Sequence, residues 1–185
     1  MSVASEGFTY SARRVRRFSA VPMTRDTRIV HELDGILAEV RPATLLRTGT
    51  TLWEAWSSHP RFTPSDLLLG LEVGGILPTI AVALASNLPY RLAWKLDLDL
   101  PDKRRFAEPH ARRNEVFTYG GFRGVRVLII DDEVTTGNTL SNLVTMLRDA
   151  NAVVTGIACL VEDTAGDARR RLESLGIPLC TLTRL

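Results

Sequence analysis

The sequence is poor in the features that mark a secreted, metal-stapled or membrane protein. Only two cysteines, Cys159 and Cys180, occur in 185 residues, far apart and in neither a CxxC nor a Cys/His array. That argues against a disulfide framework or a zinc site and fits a reducing cytoplasm. The most apolar run, Ile76–Ala85, is broken by Pro78 and Thr79 and is too short to span a bilayer. The N-terminus lacks the apolar core of a signal peptide. The net charge of +2 gives no whole-chain argument for nucleic acid. The cluster Arg13, Arg14, Arg16 and Arg17 is the exception; it reads first as a solvated face, second as a contact to phosphate or a partner. Internal repeats and low-complexity segments are also lacking.

What is present is ordinary globular material, 45% hydrophobic and 24% charged. The length suits a single domain, 1–185, that buries about 70% of its unfolded surface. Ile29, Val30, Leu33, Ile36, Leu37 and Val40 have helical spacing, so a helix is expected over Asp26–Val40, and Thr50–Ser57 reads as a second, short one. Leu67–Leu71 reads as a buried strand. Glu72, Val73, Gly74 and Gly75 then make a tight turn into a helix over Ile76–Ser86, with Pro78 tolerated in its first turn. Tyr90–Trp94 is a short strand. Lys95–Val116 is long, polar and charged, the profile of an active-site lid loop. Val125–Ile130 is a continuous apolar run, expected of a strand covered on both faces. Asp131–Thr139 reads as a loop. A helix ending near Asn151, a strand over Val153–Val161, a helix over Asp167–Leu175 stopped by Gly176, and a last strand over Ile177–Leu185 complete the chain. The alternation predicts an α/β fold with a mostly parallel sheet flanked by helices. Ligands in such sheets sit at the carboxyl ends of the strands, where both 72–75 and 131–139 fall.

The chemistry concentrates in VLIIDDEVTTGNT, Val127–Thr139. Two adjacent carboxylates close an apolar strand, and small hydroxyl and glycine residues lead straight into a helix. Such a turn offers N–H groups and hydroxyls where the helix dipole favours a phosphate. Gly137 admits close backbone approach, and Thr135, Thr136 and Thr139 can donate hydroxyls. Carboxylates beside a phosphate need another role, and sugar hydroxyls or a Mg²⁺ shell supply one.

This segment resembles the PRPP-binding motif of the type I phosphoribosyltransferases (PRPP being 5-phosphoribosyl 1-diphosphate), with the adenine and xanthine branch the nearest. The resemblance implies the fold of that family, with a small hood and a mobile lid, and transfer of phosphoribosyl from PRPP to a purine or purine-like heterocycle with Mg²⁺. It assigns Asp131 and Asp132 to the ribose and the turn Glu133, Val134, Thr135, Thr136, Gly137, Asn138 and Thr139 to the 5-phosphate. Mg²⁺ would be held mainly by PRPP and water, with Asp131 and Asp132 as candidate ligands. LEVGGIL, Leu71–Leu77, resembles the family's diphosphate loop, which assigns Glu72, Val73, Gly74 and Gly75 to that group, together with Lys95. Asp97–Glu115 corresponds to the lid (96–116 at its widest), whose Lys103, Arg104 and Arg105 would close over the departing diphosphate. Glu108 stands at the spacing of a lid glutamate tied to proton handling in adenine enzymes; His110 is a second candidate, and Lys95, Glu108, Asp131 and Asp132 form the catalytic set. Thr135 stands where some purine enzymes carry an aspartate, which argues against the hypoxanthine–guanine branch. Residues 66–185 carry the resemblance; residues 1–60, where part of a hood would be built, do not.

Other readings remain open. VLIIDDE also resembles the acidic opening of response-regulator receivers, but no lysine follows Asp131, as a receiver would need. A non-catalytic PRPP-sensing regulator would keep the same turn and add nucleic-acid contacts, for which only Arg13–Arg17 speaks. Orotate or a specialised heterocycle is a further acceptor. Trp53, Trp56, Trp94 and Phe106 are candidates to stack on a base. The family leads one to expect a homodimer.

Overall fold

The computed structural model describes residues 9–18, 27–109 and 115–185. Its frame is a five-stranded sheet built from β3 (Leu67–Leu71), β4 (Tyr90–Ala93), β7 (Arg126–Val134), β8 (Val153–Glu162) and β9 (Leu179–Arg184), in the order β4-β3-β7-β8-β9. Every neighbouring pair in it is parallel. The direction of travel across the sheet reverses between β3 and β7, so the carboxyl ends of these two central strands flank a switch point.

Both faces are covered, which is why the central strands are apolar without alternation. On one face Leu69, Ile129, Ile157 and Cys159 pack under α3 (Asn138–Asp149) and α4 (Ala168–Ser174). On the other, Leu68, Leu128, Ile130 and Leu160 meet Leu52, Trp56 and Val82 of α1 (Pro42–Ser57) and α2 (Ile76–Ser86). The two cysteines lie in these opposite clusters and are free. Trp56 is fully buried, and Phe106 nearly so, so both are core residues rather than base-stacking platforms.

Four expectations need correction. The stretch expected as a helix over Asp26–Val40 instead holds β2 (Thr27–His31) and a single 3₁₀ turn, Glu32–Asp34. β2 pairs antiparallel with β1 (Ala12–Arg16), and the β-branched Ile29 and Val30 are buried in succession, as a strand lying on a core allows and an amphipathic helix does not. The second helix begins well before Thr50, at Pro42, whose fixed φ suits the first helical turn. The span Lys95–Val116 is not structureless: β5 (Arg104–Ala107) and β6 (Glu115–Thr118) form a hairpin with Phe106 opposite Val116, anchored because both side chains join the core under α3. Finally, Asp131–Val134 are strand rather than loop, because β7 keeps its register with β8 out to Val134 opposite Glu162. Among the described residues no helix is long and apolar enough to cross a membrane.

Candidate active site

A cleft of about 410 Å³ opens at the switch point, and its wall includes Glu72, Val73, Gly74, Lys95, Glu108 and every residue from Asp131 to Leu140. The acidic pair rides on β7 while the strand is still paired with β8, ahead of its end at Val134, so the sheet itself aims it. The turn that follows ends at Gly137, which caps α3 with φ 71°, a left-handed conformation that glycine adopts without strain.

The carbonyls of that turn are engaged behind it. The Ala168 amide donates to Thr135 O at 3.2 Å, Arg171 Nε donates to Thr136 O at 2.9 Å, and the Ser141 amide donates to Gly137 O at 2.8 Å. With the carbonyls tied back towards α4 and into α3, the turn and the positive end of α3 form a cradle for an anion. Thr135 Oγ1 donates to the Glu133 carboxylate at 2.8 Å, which holds the turn's acidic residue in place.

Opposite lies the Gly74–Gly75 turn. Cβ atoms added here would collide: at Gly74 with the Asp132 carboxylate, and at Gly75 with Leu71 O at 2.7 Å and Asp131 Oδ1 at 3.0 Å. The Glu72–Val73 peptide is cis. Glu72 anchors the turn to β4, because its carboxylate accepts the Lys95 amide at 2.9 Å. Lys95 Nζ in turn lies 2.8 Å from Glu108 Oε2. Glu108 follows β5 directly, and Asn142 Nδ2 of α3 donates to the preceding carbonyl, Ala107 O, at 2.9 Å.

The two carboxyls of the pair differ electrostatically. Burial, reinforced by the Asp132 charge beside it, pushes Asp131 well above the usual carboxylate range. Burial also acts to raise Asp132, but the His31 ring and the Asp131 side chain outweigh it and hold Asp132 below that range.

Most of the sequence-derived site residues line this cleft; Gly75 is not in its wall but at the N-cap of α2, and three others lie apart. Lys103, Arg104 and Arg105 line a separate depression between the β5–β6 hairpin and α3, beside Thr145 and Asp149. There Lys103 pairs with Asp97 at 2.8 Å and Arg105 with Glu115 at 2.7 Å. His110 lies outside the described residues. Conversely, Arg17, Thr27 and Arg28 of the N-terminal hairpin line the cleft, although of these only Arg17 stood in a segment marked by sequence. The rest of the Arg13–Arg17 cluster is exposed on β1, with Arg14 paired to Asp163.

Residues 62–174 match the family described as Phosphoribosyl transferase domain. The chain belongs to that family. As a phosphoribosyltransferase-family chain it is 33% identical over 127 residues to a xanthine phosphoribosyltransferase of Chloroflexus aurantiacus, covering 65% of this chain and 60% of that protein. It is 29% identical over 121 residues to a hypoxanthine/guanine phosphoribosyltransferase of Methanocella paludicola, covering 65% and 62%. The chain thus spans about three fifths of the length of the curated relatives it matches. The fold is that of an adenine phosphoribosyltransferase from Thermoanaerobacter pseudethanolicus, with a TM-score of 0.73, 18% identity and coverage of 94% of this chain and 95% of that one. An adenine phosphoribosyltransferase from Rhodothermus marinus superimposes with a TM-score of 0.72 at 21% identity, covering 94% of each chain. The type I phosphoribosyltransferase fold expected from the acidic-pair motif is therefore the fold observed, and the superposition extends into the N-terminal region where sequence resemblance fades.

Proposed function

We propose that this chain moves the 5-phosphoribosyl group of PRPP onto a ring nitrogen of a purine, releasing diphosphate. One observation carries the reading: a single strand end delivers Asp131–Asp132 and an anion cradle to one wall of a cleft whose other wall is the Gly74–Gly75 turn with Lys95. A ligand with a phosphate, a diol and a diphosphate in that order matches these features in sequence.

In the reaction the bond from the anomeric carbon to the diphosphate oxygen breaks, and its electron pair leaves with the diphosphate. A carbon–nitrogen bond to the purine forms, and the proton from that nitrogen must find a base. The transition state is oxocarbenium-like, so the protein's task is to fix the ribose and neutralise the leaving group. Asp132, held ionised, accepts from a ribose hydroxyl, and Asp131 beside it engages the other. Lys95 moves from Glu108 to the diphosphate, which frees the Glu108 carboxylate to take the purine proton. Two adjacent carboxylates are the donor set that Mg²⁺ shared with substrate phosphates takes. Asp131 and Asp132 would be the residues to hold such an ion, and it would supply charge to neutralise the departing diphosphate. Lys103, Arg104 and Arg105 would join only through movement of the β5–β6 hairpin.

The cleft wall left for the acceptor carries Arg17, Thr27 and Arg28. Guanidinium groups are donors only. They match the O6/N7 acceptor edge of an oxopurine and meet the N6 amine of adenine donor to donor. This supports an oxopurine as acceptor in preference to adenine, on a fold shared with adenine enzymes, and Thr135, which argues against the hypoxanthine–guanine branch, favours xanthine among the oxopurines. The same reading has the protein working in the cytoplasm as a homodimer; light scattering reports the latter.

The deciding experiment is diphosphate release from PRPP and Mg²⁺ across adenine, guanine, hypoxanthine, xanthine, orotate and no acceptor. Release dependent on an oxopurine supports the whole reading. Release with adenine alone rejects the acceptor assignment. Binding of PRPP without release under any acceptor turns the reading to a PRPP sensor, and no PRPP binding at all rejects it.

A further inference from the structure

The Asp132 carboxylate is backed by a residue outside the motif. His31 ends β2, is 3% exposed, and directs Nε2 between two carboxylates, 3.4 Å from Asp34 Oδ1 and 3.6 Å from Asp132 Oδ2. Neither separation is a formed hydrogen bond, and among the described residues the buried Nε2 has no hydrogen-bond partner. The other ring nitrogen is occupied: Tyr10 Oη lies 2.9 Å from Nδ1. The Leu33 amide donates to Tyr10 Oη at 3.4 Å, which leaves the hydroxyl its own proton to donate to Nδ1. With Nδ1 accepting, the ring proton sits on Nε2, facing the carboxylates. The His31 amide donates to Asp34 Oδ2 at 2.9 Å, which fixes the backbone from which the ring projects. Asp132 is thereby confined between the Gly74 backbone on its cleft side and the imidazole behind it.

We infer that His31, oriented by Tyr10, is a positioning residue that sets the angle at which Asp132 meets the ribose of PRPP. The inference rests on the phosphoribosyl-transfer reading above. The N-terminal hairpin then serves the ribose site as well as the acceptor wall. A buried donor left unpaired is a standing cost that closes when an acceptor moves to it. A small displacement of Asp132 towards Nε2 as the ribose binds completes that bond, so the gain appears with PRPP and not with the purine.

Three variants test this: His31→Leu, which deletes the donor while keeping bulk; His31→Gln, whose side-chain amide restores a donor near the Nε2 position; and Tyr10→Phe, which releases the ring. Each is read by PRPP affinity in calorimetry, by kcat and KM for both substrates, and by Tm. His31→Leu is expected to weaken PRPP at least tenfold with the purine KM unchanged. His31→Gln should recover to within about threefold of wild type, and Tyr10→Phe should shift PRPP affinity in the direction of His31→Leu but less. Equal PRPP affinity in wild type and His31→Leu overturns the inference while leaving the functional reading standing. So does His31→Gln being as weak as His31→Leu, or a change confined to the purine KM. If His31→Leu does not fold, the Gln and Phe variants carry the comparison. Wild-type protein that binds no PRPP defeats the functional reading, and this inference with it.

Discussion

Gly74→Ala tests the idea that the cleft works by close approach of two backbones rather than by its side chains alone. The added Cβ would lie inside contact distance of all three carboxylate heavy atoms of Asp132. To regain ordinary contact, the loop or the carboxylate must retreat by more than roughly 1 Å. The carboxylate cannot retreat freely, because the His31 ring stands behind it. The loop cannot easily do so either, since Glu72 is tied to the Lys95 amide and Gly75 O accepts from Thr79 Oγ1 at 2.6 Å. A misplacement of that size at a reacting centre costs about 100-fold in rate, or roughly 2.7 kcal/mol of transition-state stabilisation, and the overpacking destabilises the fold by about 1–3 kcal/mol. Steady-state diphosphate release gives the first quantity and thermal unfolding the second. Gly121→Ala is the control, because its added Cβ would meet nothing nearer than Asp102 Oδ2 at 4.0 Å. A Gly74→Ala protein with wild-type kcat/KM for PRPP would falsify the geometric account of this loop.

Other outcomes are expected. Asp131→Asn with Asp132→Asn should abolish turnover while circular dichroism reports an intact fold. Asp131→Asn alone should also raise Tm at neutral pH: a carboxyl whose folded pKa lies above its unfolded value contributes stability only at low pH and loses it as pH rises through the folded value. Glu108→Gln should slow turnover by about 100-fold or more, with PRPP affinity in calorimetry unchanged or improved because Lys95 is released; full turnover would remove Glu108 from the mechanism. Asp66, hydrogen-bonded through both carboxylate oxygens to Arg126, has its carboxyl lowered from 3.8 to about 2. A lowered folded value stabilises above the unfolded one and fades as pH falls through the folded one. Thermal melts should therefore separate wild type from Asp66→Asn at pH 7 and bring them together near pH 2.

The parts of this molecule legible in its sequence are those whose cause is local. β3 and α2 have the bounds expected, because an apolar run, two glycines and a proline at the third helical position each restrict the backbone on the spot. The acidic pair and the threonine turn are legible for the same reason, since strand, cap and helix follow one another without a break. The N-terminal region misleads because Ile29, Val30 and Leu33 satisfy a helical spacing as readily as a strand followed by a turn; what decides is the partner strand Ala12–Arg16, a distant segment. The β5–β6 hairpin escapes notice among charges because two buried side chains, Phe106 and Val116, carry its docking. His31 is invisible to motif reading altogether: nothing within its own neighbourhood announces that it will stand behind a carboxylate on β7. Arg171, which ties back the Thr136 carbonyl, is missed in the same way.

The reversal of direction between β3 and β7 has a consequence for how the protein can vary. The excursion that leaves β3 and returns at β7 is pinned at both ends to neighbouring strands, whereas the N-terminal hairpin is tied into the sheet and the cleft by polar contacts: Thr183 Oγ1 donates to Tyr10 O at 2.7 Å and His31 stands behind Asp132. Length and composition in the β5–β6 hairpin can therefore change without altering the approach of Gly74 to Asp132, but β2 cannot be exchanged without changing what backs that carboxylate. The sheet and β2 behave together as a fixed chassis, and the β5–β6 hairpin as an exchangeable fitting. Grafting that hairpin alone from a relative, while leaving β2, β3 and β7 untouched, is the natural unit of redesign.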